Sequence, residues 1–424
     1  MVRVNAPAAM IGEVPRARNS RRRRLRRFAA IIASPNEVFM TRARVRPRRW
    51  IWQQPKWPMF AWDAAVLSTT LSRARRAQGE LAGVARLLDS KLDLSAQLEV
   101  LTLEGVATSA IEGEKLNPDS LRSSIARRLG LPTGGLPRPS RAVDGLVEVL
   151  LDATQRYEQP LTLERLSAWQ SALFPTGRSG LLEIRVGTLR GRAPMQVVSG
   201  PIGRERVHYE APPRARLGRE MRSFLKWFND PPAGLDGLLR AGLAHAWFEV
   251  LHPFEDGNGR VGRALLDTAL AQDEHRCVRL YSLSARFMDQ RNAYYAALER
   301  TSSGDLDITP WLIWFLEQVD AAVRSSETLV AAVVQKARFW MQHAQSELNE
   351  RQIKALNRMF DAEPGGFAGG MTNKKYANLT KASPATAQRD LASLVVKGCL
   401  VPVGTGRGAR YEFKLPNYDA SRAG

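Results

Sequence analysis

Apolar side chains along most of this chain recur at spacings of three and four, the period of a helix with one buried face. Over residues 63–103 the pattern predicts two amphipathic helices, and a further helical region covers residues 140–173. Between them Gly130-Leu-Pro-Thr-Gly-Gly-Leu-Pro-Arg-Pro139 is a loop, because neither glycine nor proline sustains a helix interior. Helices resume near Arg214, and a strongly apolar one is expected to end at Leu251. Thr309-Pro310 opens a long pattern through Trp311, Phe315, Val319 and Val323 toward Met341, with proline where its missing N–H costs nothing.

Two stretches break the helical period. Across residues 185–208, Val186, Leu189, Met195, Val197, Val198 and Val207 alternate with polar residues and glycine, which predicts a β-hairpin or extended flap closing at Pro212-Pro213. Residues 400–413 read as two strands around a Gly/Arg tip. Before them come helices over 348–360 and 372–380, then a third from the cap Ser383-Pro384 to Lys397, stopped by Gly398. That order is the order of a winged helix.

A chain of 424 residues is too long for one compact core and predicts two or three domains. With 44% apolar and 25% charged residues it is a soluble globular composition, which excludes collagen-like, disordered and disulfide-scaffold classes. Cys277 and Cys399 supply neither a zinc cage nor a disulfide framework, so a reducing, cytoplasmic compartment is expected. The longest apolar runs, 28–33 and 311–316, are far short of the ~20 residues of a membrane helix, and no membrane partner is expected. The net charge of +20 is uneven: residues 1–49 hold fourteen Arg and two Glu, or +12. An arginine block of this kind cannot fold alone and attracts nucleic acid or anionic lipid. It is read as a basic, disordered leader, with Met40 as an alternative start, and no function is rested on it. An aromatic, proline-punctuated stretch from Trp50 to Trp62 follows.

The chemistry is concentrated in His252-Pro-Phe-Glu-Asp-Gly-Asn-Gly-Arg-Val-Gly-Arg263. Pro253 turns the chain after a helix. Gly257-Asn258-Gly259 can take left-handed conformations that aim successive N–H groups into one concavity, and a new helix starting near Arg260 adds its partial positive charge. Arg260 and Arg263 share a helix face. Together they form an anion hole sized for a polyphosphate, with Asp256 offering Mg²⁺ a carboxylate oxygen and His252 able to take a proton near neutral pH. Gly257, Gly259 and Gly262 also spell a dinucleotide-binding fingerprint, but a helix precedes them and no acid lies near 281–284. A P-loop is excluded because no Lys-Ser/Thr follows the glycines.

HPFEDGNGRVGR resembles the signature of the Fic family, HPFx(D/E)GNGRxxR, at every constrained position. The resemblance implies a mainly α fold: a Fic helical core with a small β-hairpin flap, an N-terminal helical module and a C-terminal winged helix. Its expected bounds are 1–49 for the leader, 50–135 for the N-terminal module, 136–340 for the core and 345–416 for the winged helix. It also implies a protein adenylyltransferase that moves AMP from ATP onto a Ser, Thr or Tyr hydroxyl of a target protein. His252 is then the base, Asp256 holds Mg²⁺, and Gly257, Asn258, Gly259, Arg260, Val261, Gly262 and Arg263 serve ATP, with Arg263 at the γ-phosphate. Tyr294 or Tyr295 would meet the adenine, and Phe254 would anchor the loop.

A second motif, Thr108-Ser-Ala-Ile-Glu112-Gly113, is similar to the family's inhibitory helix, (S/T)xxxE(G/N). It implies that Glu112 pairs with Arg263 in a bidentate contact and misplaces the terminal phosphates of ATP. Met195, Gln196, Val197 and Val198 resemble the flap that holds a target by strand addition. In the winged helix, Thr386, Gln388 and Arg389 face outward from the recognition helix, and Arg407 and Arg410 on the wing would touch phosphates. Duplex DNA and a second copy of the chain are further candidate partners. Two rival functions stay open: removal of AMP, with Glu112 positioning water, and a nucleotide-sensing DNA-binding regulator.

Overall fold

The structure, a computed structural model, describes residues 2–5, 50–86, 90–133, 136–199, 204, 206–276, 279–343, 345–360, 370–404 and 409–414. Of the leader, Val2–Asn5 is described, and it forms a strand, β1, in place of the expected disorder; residues 6–49 lie outside the described residues.

The two helices expected over 63–103 are α1 (Ala64–Ala85) and α2 (Ser90–Ile111), and α2 runs on into the stretch from Thr108 to Gly113. Asn117 caps α3 (Pro118–Arg128) by accepting from the Asp119 and Ser120 amides, with proline at the first turn. The region 140–173 divides into α4 (Arg141–Gln155) and α5 (Leu163–Leu173), each opened by a hydroxyl cap, Ser140 and Thr162. A small hairpin follows, β2 (Arg178–Ser179) against β3 (Leu182–Glu183).

The flap is β4 (Gln196–Ser199) paired antiparallel with β5 (Arg206–Glu210), with a bulge between Val197 and Val198. Its sheet order is β1-β4-β5: Val2–Asn5 lies antiparallel along the outer edge of β4, with Val4 opposite Val197.

The remaining core helices are α6 (Arg214–Asn229), α7 (Gly237–Leu251), α8 (Asn258–Glu274), α9 (Leu283–Asp289), α10 (Arg291–Ser303) and α11 (Thr309–Gln342). The sequence of α7 is apolar almost all round, and the reason is its central position. It packs against α6, α8, α10 and α11, and of its residues only Gly237 and Glu249 escape full burial. Trp247 on α7 gathers Trp57, Phe60, Phe224 and Trp227 at ring separations of 5.4–6.1 Å, distances typical of edge-to-face aromatic pairs. The aromatic opening stretch therefore belongs to the core. Its Trp52 and Trp57 indoles donate to the Glu210 carbonyl (2.7 Å) and Glu220 (2.9 Å), tying it to the base of the flap and to α6.

One continuous apolar cluster joins Trp50 to Val330, and α2 packs directly on α3, α9 and α11. A second cluster, including Leu356, Tyr376, Leu391, Leu394 and Leu400, holds the C-terminal elements together. These are α12 (Glu350–Phe360), α13 (Asn373–Thr380), α14 (Pro384–Val396) and the hairpin β6 (Leu400–Val403) with β7 (Arg410–Phe413). Met371 adds an isolated bridge to Tyr411. Ser383 caps α14 through the Thr386 amide, as its position before Pro384 predicts. The wing residue Arg407 lies outside the described residues. Among the described residues no helix is long and apolar enough to cross a membrane.

The approach of α4 to α5 sets the floor of the site. Gly145 faces the Ala172 carbonyl so closely that a Cβ would collide with backbone, which has no side-chain rotation to yield by. Leu173 and Phe174, at the end of α5, then lie beneath Gly257. Gly145→Ala should destabilise the chain by about 1–3 kcal/mol, the usual cost of overpacking, measured as a lower urea midpoint with an unchanged slope.

Candidate active site

The site is the junction of α7 and α8. Beyond Leu251 the chain reverses through His252, which takes a left-handed conformation (φ 45°), unusual for a residue with a side chain. Phe254 is fully buried and anchors the turn. Asn258 pins it from the other side: its side chain accepts from the Phe254 amide (2.9 Å) and donates to the Phe254 carbonyl (2.8 Å). Gly257 has φ 85°, and a Cβ there would also press on the Phe174 ring, so glycine satisfies both the backbone and the space. Helix α8 starts at the next residue, and its first amides open toward the cleft.

Arg190 holds the same turn from outside. It is buried, and its side chain donates to the His252 carbonyl (2.8 Å) and to the Pro212 carbonyl, while its backbone amide donates to the Pro253 carbonyl (2.9 Å). Burial lowers its pKa to about 10, which leaves the guanidinium charged at neutral pH. From β5, the Tyr209 hydroxyl donates to the Val250 carbonyl (2.6 Å) and fixes the flap to α7.

The His252 ring is buried, and its Nδ1 lies 3.2 Å from the Glu249 carbonyl. A carbonyl can only accept, so Nδ1 carries the proton and Nε2 is the bare nitrogen. Burial lowers the imidazole pKa to about 4, partly opposed by that hydrogen bond, so the ring is neutral at pH 7 and able to accept a proton.

Arg263 is 2% exposed and is held by the end of α2 through three hydrogen bonds. Its Nε donates to the Thr108 hydroxyl (2.7 Å), and its Nη2 donates to the Thr108 carbonyl (2.9 Å) and to Glu112 Oε1 (2.8 Å). The contact with Glu112 thus uses one guanidinium nitrogen, and the bidentate pair expected from sequence is replaced by a shared grip in which Thr108 takes the second direction. Burial alone would push the Glu112 carboxyl up; Arg263, with help from Arg260 and His252, pulls it below the usual range. Glu112 stands just past the last turn of α2, where Gly113 (φ 86°) reverses the chain. A Cβ on Gly259 would collide with Glu112 Oε1, so glycine there admits the carboxylate.

Around the turn opens a cleft of ≈ 290 Å³, bordered by His252, Asp256, Gly257, Asn258, Gly259, Arg263 and Glu112 on one side and by β5 and α10 on the other. The structure therefore brings together His252, Asp256, the Gly257–Gly259 amides, Arg263 and Glu112. Other expected positions fall differently. Val261 is fully buried in the core, where its side chain cannot meet a nucleotide, and its amide donates to the Gly257 carbonyl. Gly262 lies against α7, its carbonyl accepting from His245 Nδ1 (3.0 Å). Arg260 pairs with Glu114 (3.0 Å) and stacks on Phe174. Tyr294 is 1% exposed with its hydroxyl on His245 Nε2 (2.8 Å), so it is chiefly a core residue behind the cleft wall. Tyr295 and Arg291 both donate to the Ile111 carbonyl (3.1 and 2.6 Å), tying α10 to the end of α2. On the flap, Met195 and Val198 are buried, Val197 faces the cleft, and Gln196 donates to Glu210 (2.7 Å).

Sequence reasoning missed Arg190, Glu114 and Glu249. Arg190 and Glu114 carry no local signal, because their partners are 62 and 146 positions away. Glu249 had one: it is a lone acid in an apolar run, three residues before His252.

The Fic/DOC family profile matches residues 160–270, and a domain of unknown function (DUF4172) matches residues 50–131. A probable protein adenylyltransferase from Aquifex aeolicus (strain VF5) is 31% identical over 96 residues, 23% of this chain and 27% of that protein. A protein adenylyltransferase from Caenorhabditis elegans is 29% identical over 106 residues, 25% of this chain and 19% of its own length. The chain thus spans well under half the length of these relatives. Among solved structures, a Fic family protein from Desulfovibrio desulfuricans G20 is similar at a TM-score of 0.45 and 19% identity, covering 81% of this chain and 95% of that one.

The buried neutral His252 has a thermodynamic signature. The unfolded chain takes up a proton on this ring below about pH 6.5, whereas the folded ring resists until about pH 4, so it destabilises the fold as pH falls through that window. His252→Ala should therefore gain stability relative to the parent between pH 6.5 and 4, by up to about 1.4 kcal/mol per pH unit in paired urea titrations.

Proposed function

Starting from a chain that carries a Fic/DOC family domain, we propose that it is a protein adenylyltransferase, moving AMP from ATP to a target protein's Ser, Thr or Tyr hydroxyl and restrained by its own Glu112. One observation carries this reading: a neutral imidazole with a bare Nε2 borders the same cleft as the glycine turn at the start of α8, and Arg263 at that cleft is held by Glu112.

In this mechanism the triphosphate lies along the α8 N-terminus, where unpaired amides and the helix dipole accept negative charge. His252 Nε2 takes the proton of the target hydroxyl, whose oxygen bonds to the α-phosphorus as the bond to the bridging oxygen breaks and pyrophosphate leaves. Asp256 is the residue that would hold Mg²⁺. Its carboxylate reaches the cleft, accepting from the Ser179 hydroxyl and the Gly257 amide (2.6 Å), and lone pairs remain for a hard cation. Bound there, Mg²⁺ would neutralise phosphate charge. The target enters as a strand beside β4, taking the place of Val2–Asn5.

Restraint follows from the same contacts. The γ-phosphate needs the guanidinium that Glu112 and Thr108 occupy, and a carboxylate at that place repels it. For the C-terminal unit the proposal is a winged helix with α14 as its recognition helix. Gln388 and Arg389 are exposed on α14, a placement that suits duplex DNA.

Glu112→Gly should raise AMP transfer from radiolabelled ATP by about 10–100-fold, since a charge-assisted contact of about 1.5–3 kcal/mol is lost. His252→Ala should lower the released activity by about 10²–10⁴-fold. Equal labelling in parent and both variants would overturn the assignment. Binding of the full chain to duplex DNA should weaken with salt, and Arg389→Ala should reduce the log–log slope by about 1. An unchanged slope would remove DNA from α14.

A further inference from the structure

Glu249 borders the cleft, and neither the proposed chemistry nor the restraint gives it a task. It sits on α7 one turn before His252, among Phe248, Val250 and Leu251, all of them fully buried. Its side chain folds into the junction of α7 and α8. A Cβ on Gly262 would collide with its Oε1, so the glycine makes room for the carboxyl. Oε1 is buried and has no hydrogen-bond partner among the described residues. Oε2 lies 3.9 Å from His252 Nδ1, the nitrogen that donates to the carbonyl of this same residue.

A buried polar atom without a partner costs on the order of 1–3 kcal/mol, and a leucine would fill the same space at no such cost. The side chain is thus expensive where it stands, and its carboxyl borders one particular edge of one particular ring. We propose that Glu249 is a positioning residue for His252: carbonyl and carboxyl together hold the Nδ1 edge, keeping the proton on Nδ1 and directing Nε2 into the cleft.

The groups around the carboxyl decide its charge. His245 shares its helix, His252 follows that helix at the turn, Arg263 comes from α8, Glu112 follows α2, and Tyr294 comes from α10. Burial, reinforced by Glu112 and opposed by Arg263, raises Glu249 to about 8, so the carboxyl is neutral at pH 7. A neutral carboxyl adds no negative charge to a cleft that must accept a triphosphate. When His252 takes a proton on Nε2, the ring becomes a cation, and Oε2 offers the Nδ1 edge a second oxygen beside the carbonyl. Above about pH 8 the ionised carboxylate would repel phosphate and compete for Arg263.

This inference builds on the reading of His252 as the base, yet its main test is independent of AMP transfer. The full chain carries five histidines, so ¹⁵N-histidine labelling gives few ring signals, and His252→Ala identifies the relevant pair. The parent should show a single tautomer at His252, with Nδ1 protonated. Glu249→Ala should give averaged tautomers, and Glu249→Gln, of the same shape, should keep the parent pattern at pH 7. Between pH 6 and 9.5 the parent ring signals should shift with a midpoint near 8, and Glu249→Gln should show no such step. In the Glu112→Gly background, Glu249→Ala should lower kcat by about 10-fold or more with KM for ATP within about twofold, the split expected of an orienting partner.

An unchanged His252 spectrum in Glu249→Ala would overturn the proposal. If that variant does not fold, Glu249→Gln decides, because a surviving step near pH 8 would show that the carboxyl does not act on the ring. Ring changes as expected without AMP transfer in any variant would refute the enzyme assignment and uphold the positioning role.

Discussion

The turn between α7 and α8 is the constraint on which the rest of the site depends. A left-handed histidine followed by proline and a left-handed glycine is not a geometry a free peptide holds, and here it is fastened at several independent points. Asn258 bridges both backbone groups of Phe254, Arg190 holds the carbonyls of His252 and Pro253, and the Phe254 side chain is sunk in the core. Each tie satisfies a polar group that would otherwise be buried unpaired, so the same contacts that fix the turn also stabilise it. The consequence is that an imidazole and a helix N-terminus face one cleft without either having to move.

Electrostatics builds on that rigid base. Burial drives the ionisable groups of the site toward their neutral forms, lowering His252 and raising Glu249. Arg263 is the exception, because Glu112 restores its charge against burial, and each partner in turn keeps the other ionised. The short segment after α2 therefore carries the strongest charge pairing at the cleft. Its backbone is held as well, since Tyr295 and Arg291 of α10 both converge on the Ile111 carbonyl. Glu114 on Arg260 adds a second acid to the same segment, although its half-exposed position makes that contact weaker. The two arginines of the α8 start are thus both paired with acids of one short segment.

The flap shows the same economy. Its inner strand is sewn to α7 by the Tyr209 hydroxyl and braced by the aromatic opening stretch through Trp50 and Trp52. Its outer strand is paired with Val2–Asn5, so the hydrogen-bonding edge is already occupied by a segment of the same chain. An unpaired edge strand invites foreign strands, and covering it is a common protection.

The sequence by itself determined most of the secondary structure and singled out the run that borders the cleft. Periodicity of three and four located the helices over 63–103 and from Thr309 onward, and the cap at Ser383 acts where local hydrogen bonding alone would put it. The run from His252 to Arg263 was legible because a tight turn into a helix needs its glycines, asparagine and arginines in a fixed local order. What only the tertiary structure decided are contacts between residues far apart in the chain. Val261 proved to be core, Tyr294 a partner of His245, and Arg263 a residue shared between Thr108 and Glu112, because packing of α8 against α2 and α7, and of α10 against α7, sets which way each side chain points. Arg190 and Glu114 left no trace in any local pattern, and neither did the strand from residues 2–5. Local spacing encodes which face of an element a residue occupies; what that face meets is settled when the elements pack.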